Sequence, residues 1–272
     1  MIATIKFEWR KLRFRPALFV SAGLIAALTA LVYFFSWYQA LHPSTGDRGL
    51  VNIATLYPDQ FVNQVIGAGA IGGAIAIVLG AIYAGSEFSW GTLKTMLTQH
   101  PGRLTVWAGR LVVFSLWMGI MAAVLFVAGA ALSVVVALFQ GHAISWPAAV
   151  DIAKGFGAIW LIFVAEGAIG LGLGVVIRQS AAALGAGLIY LLAVELIAVR
   201  FIDSINNGAY KWIGNLFVGQ NAAALTQSFT SPAFGRSLAP AISAEHAVLV
   251  LAAYGVGLMI IAAGLLRLRD VT

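Results

Sequence analysis

The chain of 272 residues contains no cysteine. That absence excludes disulfides, thiolate metal sites and cysteine nucleophiles, and leaves the compartment open. Charge is scarce as well: Asp, Glu, Lys and Arg make up 10% of the residues, where soluble domains carry roughly 25%. With 61% hydrophobic residues and a mean hydropathy of +0.94, too little polar sequence remains to cover a water-exposed surface. The apolar excess must therefore face lipid. Also missing is G-x-x-x-x-G-K-[ST], the usual cradle for ATP phosphates, together with H-E-x-x-H and G-x-S-x-G. The four histidines, His42, His100, His142 and His246, are scattered without a partner at ligand spacing. These absences argue against a membrane enzyme, and neither a metal nor a cofactor is expected in this chain.

What the sequence has instead is long apolar runs. Six reach the length of about 20 residues that a bilayer crossing requires: Pro16 to Tyr38, Val62 to Ala84, Val106 to Phe139, Ala149 to Ile177, Ala181 to Val199 and His246 to Leu266. The first exceeds the core of a signal peptide and ends without a small-x-small cleavage site, so it reads as a retained helix. The third and fourth are longer than a bilayer needs and imply tilt, kinks or protruding ends. The expected fold class is all-α integral membrane, one transmembrane domain over 1–272 with six transmembrane helices. Alternating sides along the chain puts Lys6, Arg10, Lys11, Arg13, Arg15, Lys94, Arg103, Arg110, Arg178, Arg267 and Arg269 on one face, 11 of the 16 basic residues. The positive-inside bias places that face, with both termini, in the cytoplasm. The opposite face receives the segments 39–61 and 201–245. In the second, Trp212, Phe217, Phe229 and Phe234 lie among polar and glycine residues, which fits either short helices at the outer interface or a re-entrant turn capping a substrate path.

Within the spans, small residues recur at four-residue spacing: Gly69 with Gly73, Gly170 with Gly174, Ala181 with Gly185, and Ala253 with Gly257. Such pairs let helix backbones approach closely, inside one chain or between two copies. Gly67, Gly69 and Gly72 spell G-x-G-x-x-G, but they sit inside an apolar span with no preceding strand, so a dinucleotide site is rejected. Two carboxylates fall at membrane depth, Glu166 and Glu195. A charge there costs several kcal/mol by insertion scales. It marks either a proton or cation site, or a carboxyl satisfied by hydrogen bonds from a neighbouring helix.

At the N-terminus, Ile2, Ile5, Trp9 and Leu12 form an apolar stripe with Lys6, Arg10 and Arg13 on an adjacent arc. The segment 1–15 is thus an interfacial amphipathic helix, held at the membrane surface by Trp9 and by attraction of Arg10 and Arg13 to anionic lipid. Phe7 and Phe14 fall on the opposite face. They serve a second contact, or are incidental to a simple anchor. Between the second and third spans, the loop 85–105 carries Leu93, Met96 and Leu97 on one edge and ends at Pro101 and Gly102, so Thr92 to Gln99 reads as a short helix.

That loop resembles the permease subunits of ABC-2 type exporters, in which a glutamate is followed by Gly-Thr-Leu, a leucine-rich turn, a proline and an arginine. Here those are Glu87, Gly91, Thr92, Leu93, Leu97, Pro101 and Arg103, with Lys94 inside the motif. The basic amphipathic N-terminus and the ending Arg267-Leu-Arg-Asp-Val271 are similar to that family too. The nearest likeness is to the bacitracin-resistance, lantibiotic-immunity and sodium-efflux permeases. The resemblance implies a type V exporter-like permease of the bacterial cytoplasmic membrane, working as a homodimer or as a pair with a related permease. Two ABC ATP-binding subunits would bind ATP and Mg on its behalf and seat the coupling helix. It implies efflux of a hydrophobic or amphipathic substrate such as a peptide antibiotic, drug or lipid-like compound, and no nucleic-acid partner. The competing readings are an ion-coupled secondary transporter using Glu166 and Glu195, and a scaffold subunit without a transport path.

Overall fold

The computed structural model describes residues 2–42, 52–89, 103–205, 210–229 and 242–268. Among these, all regular secondary structure is helical. The first helix, α1 (Ile2–Arg13), turns at Phe14 and Arg15 into α2 (Pro16–Leu41), whose Pro16 occupies the first helical position, where a missing N–H costs no hydrogen bond. Two single 3-10 turns, Ile53–Leu56 and Pro58–Gln60, lead into α3 (Phe61–Ser89). The long α4 (Arg103–Phe139) and α5 (Ala149–Ile177) follow. A reversal at Arg178 and Gln179 starts α6 (Ser180–Ile189), which passes through a π turn (Tyr190–Val194) into α7 (Glu195–Ser204). Two short helices, α8 (Lys211–Gly214) and α9 (Val218–Gln227), precede α10 (Ala244–Leu268).

Five helical stretches are long and apolar enough to cross a membrane: Pro16–Leu41, Leu104–Phe139, Ala149–Ile177, Ser180–Ile202 and Ala244–Leu265. They are compatible with a multi-pass membrane protein. The run expected over 62–84 differs, because its halves Pro58–Gly69 and Gly72–Ser86 are bent by 51°. Counted as one broken span, that pair raises the total to six. The bend follows from composition: Gly67, Gly69, Gly72 and Gly73 crowd one stretch, each roughly 1 kcal/mol poorer than alanine at holding a helix.

The centre of the bundle is α5, which packs against α3, α10, α6 and α4. Of its span 61% is buried, against 22% for α2, for Ser180–Ile202 and for α10. The α3–α5 seam is made by backbone meeting backbone. A Cβ at Gly80 would strike the Gly167 carbonyl, one at Gly170 the Ile77 carbonyl, and one at Gly174 the chain at Ala84 and Gly85. The pairs Gly69–Gly73 and Gly170–Gly174 are therefore spent on packing within the chain. Gly185 and Gly257 have open space where a side chain would sit. The glycines of the rejected nucleotide fingerprint lie within α3, where the Ile159 side chain closes on Gly69 and that of Phe163 on Gly72.

Three of the four stripe residues of α1 face α4, Leu12 fully buried and Ile5 and Trp9 packed partly into the core, with Glu8 fully buried among them and Ile2 73% exposed. Thr4 seats against Gly109 of α4. Arg10, Arg13, Phe7 and Phe14 are exposed. The buried face thus takes in Glu8 together with the stripe.

Candidate functional site

Two polar clusters interrupt the apolar packing. The first ties α1 to the bundle. Glu8 pairs with Arg110 of α4, its Oε1 4.0 Å from Nε with no hydrogen bond between those two atoms, and its Oε2 accepts the Tyr83 hydroxyl of α3 at 3.3 Å. Arg110 Nη2 donates to the Tyr83 carbonyl at 3.2 Å, and its guanidinium stands 5.3 Å from the Tyr83 ring and 5.7 Å from the Trp107 ring. From the bend after α1, Arg15 Nη1 donates to Ser86 Oγ at 3.3 Å while its guanidinium faces the Tyr83 ring at 6.0 Å. Glu8 and Arg110 are 0% and 2% exposed, so each is neutralised by the other in a medium that punishes an isolated charge. The consequence is mechanical: α1, the end of α3 and the start of α4 are joined at one point, and those last two helices flank residues 90–102.

The second cluster lies in the middle of the bundle. Glu166 of α5 is 4% exposed and Glu195, at the end of the π turn, is 3% exposed. The two carboxylates are close enough to interact electrostatically. Glu166 lies directly on the backbone of α3, where only glycine fits: a Cβ at Gly73 would overlap its carboxylate. Ile159, Phe163 and Glu166 follow one another at helical spacing along α5 and meet Gly69, Gly72 and Gly73 in turn, so the bent part of α3 is shaped around them. Glu195 Oε1 accepts the backbone N–H of Gln220 at 3.0 Å, with Gly219 N–H and the Tyr190 hydroxyl against the same carboxylate. Gly219 and Gln220 open α9, so the carboxylate satisfies free N–H groups of a helix N-terminus. This also settles how part of the segment 201–245 folds. The α9 helix buries Val218, Asn221, Ala222, Ala224 and Leu225 and packs against α10, α3 and α5. One face of it packs among these helices, and Ala223 and Gln227 on the other are exposed.

The helices α5, α9 and α10 border an open groove of about 860 Å³. Leu161, Leu225, Val248, Lys154 and Glu245 are among the residues that line it.

The sequence-derived site residues divide sharply. Gly91, Thr92, Leu93, Lys94, Leu97 and Pro101, with the expected helix over Thr92 to Gln99, lie outside the described residues. Glu87 belongs to the last turns of α3 and Arg103 begins α4, so helix occupies both ends of the expected 85–105 loop. Glu166 and Glu195, a span apart in sequence, come within electrostatic reach of each other. Trp9, Arg10 and Arg13 share α1, where only Trp9 packs into the core. Glu8, Tyr83, Arg110, Tyr190 and Gln220 were not anticipated. One signal for the first cluster was available: Glu8 is the sole acidic residue before Asp47, and Arg110 is the sole charge inside the run 106–139. Among the described residues no group of three His, Asp or Glu is arranged to hold a metal ion. No family model matches the chain, and no curated protein matches it.

Proposed function

We propose that this chain is the permease subunit of an ATP-driven exporter, forming the substrate path as a dimer in a bacterial cytoplasmic membrane and driven by separate ATPase subunits. The observation that carries the reading is the Glu8–Arg110–Tyr83 cluster. It locks the amphipathic N-terminal helix to the two helices that enter and leave the segment with the ABC-2-like motif, Glu87 to Arg103. A push on that segment from a soluble partner is then delivered to α3 and α4 together, and through the glycine seam to α5. The excess of basic residues at this end supports its cytoplasmic placement, and with it a six-span path with both termini inside. The groove beside α9 has the size and mainly apolar lining of a small-molecule site, which supports a hydrophobic or amphipathic cargo.

The test is to isolate the tagged chain from its native membrane in mild detergent and identify what comes with it. A soluble ATPase at one-to-one stoichiometry, lost on Leu93→Asp with Leu97→Asp, is the expected result. Replacing Glu8 with Gln should leave that partner bound and abolish stimulation of its ATP hydrolysis by transported compounds. Recovery of the chain alone in repeated preparations overturns the reading.

A further inference from the structure

The carboxylates of Glu166 and Glu195 have no basic partner among the described residues. Two buried negative charges within electrostatic reach of each other repel, and each alone costs several kcal/mol to keep from water. We infer that Glu166 and Glu195 form a site for one small monovalent cation, a proton or a sodium ion, held between α5 and the π turn.

Each carboxylate keeps a buried oxygen that such an ion could take. Glu166 Oε2 and Glu195 Oε2 are both shielded from solvent and have no hydrogen-bond partner, so each carboxylate keeps one acceptor unused. The other oxygen of Glu195 is fixed by the N-terminus of α9. The π turn sets the aim of Glu195, whose N–H bonds the Tyr190 carbonyl in the i−5 register, displacing the carboxylate from where an unbroken α-helix would carry it. Gly73 clears the space for Glu166. Among the described residues, the titratable groups in electrostatic interaction with the pair are two tyrosines, Tyr190 beside Glu195 and Tyr254 of α10. Carboxylate oxygens suit a proton or a hard cation. Because Glu195 also holds Gly219 and Gln220, filling or emptying the site changes the charge that anchors α9, next to the groove. The inference stands whether or not an ATPase drives the chain.

The experiment uses the full chain in detergent and dicyclohexylcarbodiimide, an apolar reagent that modifies protonated carboxyls. An adduct on Glu166, located by mass spectrometry and forming more slowly as pH rises, is expected. If sodium chloride slows it and choline chloride at equal ionic strength does not, the site also takes sodium; if only pH matters, it is a proton site. Replacing Glu195 with Gln should raise the sodium concentration needed for protection, or shift the pH profile, by about tenfold or more. The pH and sodium responses of the unaltered chain need no variant to fold. No adduct on Glu166 at any pH, or an adduct indifferent to pH, to sodium and to Glu195→Gln, overturns the proposal.

Discussion

Both polar clusters bury carboxylates, and they solve the same electrostatic problem in opposite ways. At the α1 end, Glu8 meets Arg110 and the charge is cancelled inside the chain. In the middle of the bundle, Glu166 and Glu195 lie within electrostatic reach of each other, and each has a buried oxygen with no hydrogen-bond partner among the described residues. A buried pair of opposite sign is a fixed joint, since separating its members exposes an unpaired charge. A buried pair of like sign is incomplete without something from outside. The contrast separates the part of the molecule suited to transmit force from the part suited to bind.

The sharpest way to break the contrast is to make the first cluster resemble the second. Arg110→Met leaves Glu8 buried without its partner, and the loss of stability should be about 3–5 kcal/mol. Unfolding of the purified protein in detergent measures it, and Glu8→Leu combined with Arg110→Met should recover most of the loss. A recovery no better than the single variant would mean that Tyr83 or Trp107 carries the contact instead. Next in size is the seam that links the clusters. Gly170→Ala forces a Cβ onto the Ile77 carbonyl and should cost about 1–3 kcal/mol, whereas Gly257→Ala, with nothing within 4 Å, should fall within about 0.5 kcal/mol of the unaltered chain.

Much of this architecture was legible in the sequence for a simple reason. Apolar length is a one-dimensional signal, and α5 begins and ends where the hydrophobic run does, at Ala149 and Ile177. The bend in α3 was less so, because the same glycines that loosen a helix also serve close packing, and only the α5 face Ile159–Phe163–Glu166 decides between those uses. The docking of α1 escaped a reading by hydrophobic periodicity, which counts Glu8 as solvated. Its burial depends on Arg110, a partner more than a hundred residues away. Likewise Glu166 and Glu195 each stood out as a charge in an apolar run, but the placing of Glu195 depends on the π turn, and nothing in Tyr190 to Val194 marks one locally. Pairing in three dimensions, not residue type, sets what these groups do.

The smallest effect carries the most decisive sign. Glu195→Gln keeps an oxygen to accept the Gln220 N–H but removes the negative charge from the N-terminus of α9, which should cost about 0.3–1 kcal/mol. It also removes the repulsion of Glu166, which acts the other way. With a cation in the site that repulsion is already cancelled, so in sodium-containing or acidic buffer the variant should unfold more readily than the unaltered chain. Raising the pH without sodium empties the site in the unaltered chain and leaves two charges facing each other, a penalty that the variant, with a single carboxyl, escapes. The difference in unfolding midpoint between the two proteins should therefore reverse sign as the proton is withdrawn, and adding sodium at high pH should restore the original order if the site takes that ion. A difference of constant sign across pH and sodium would mean that Glu195 serves α9 alone, and the two clusters would then differ in position rather than in kind.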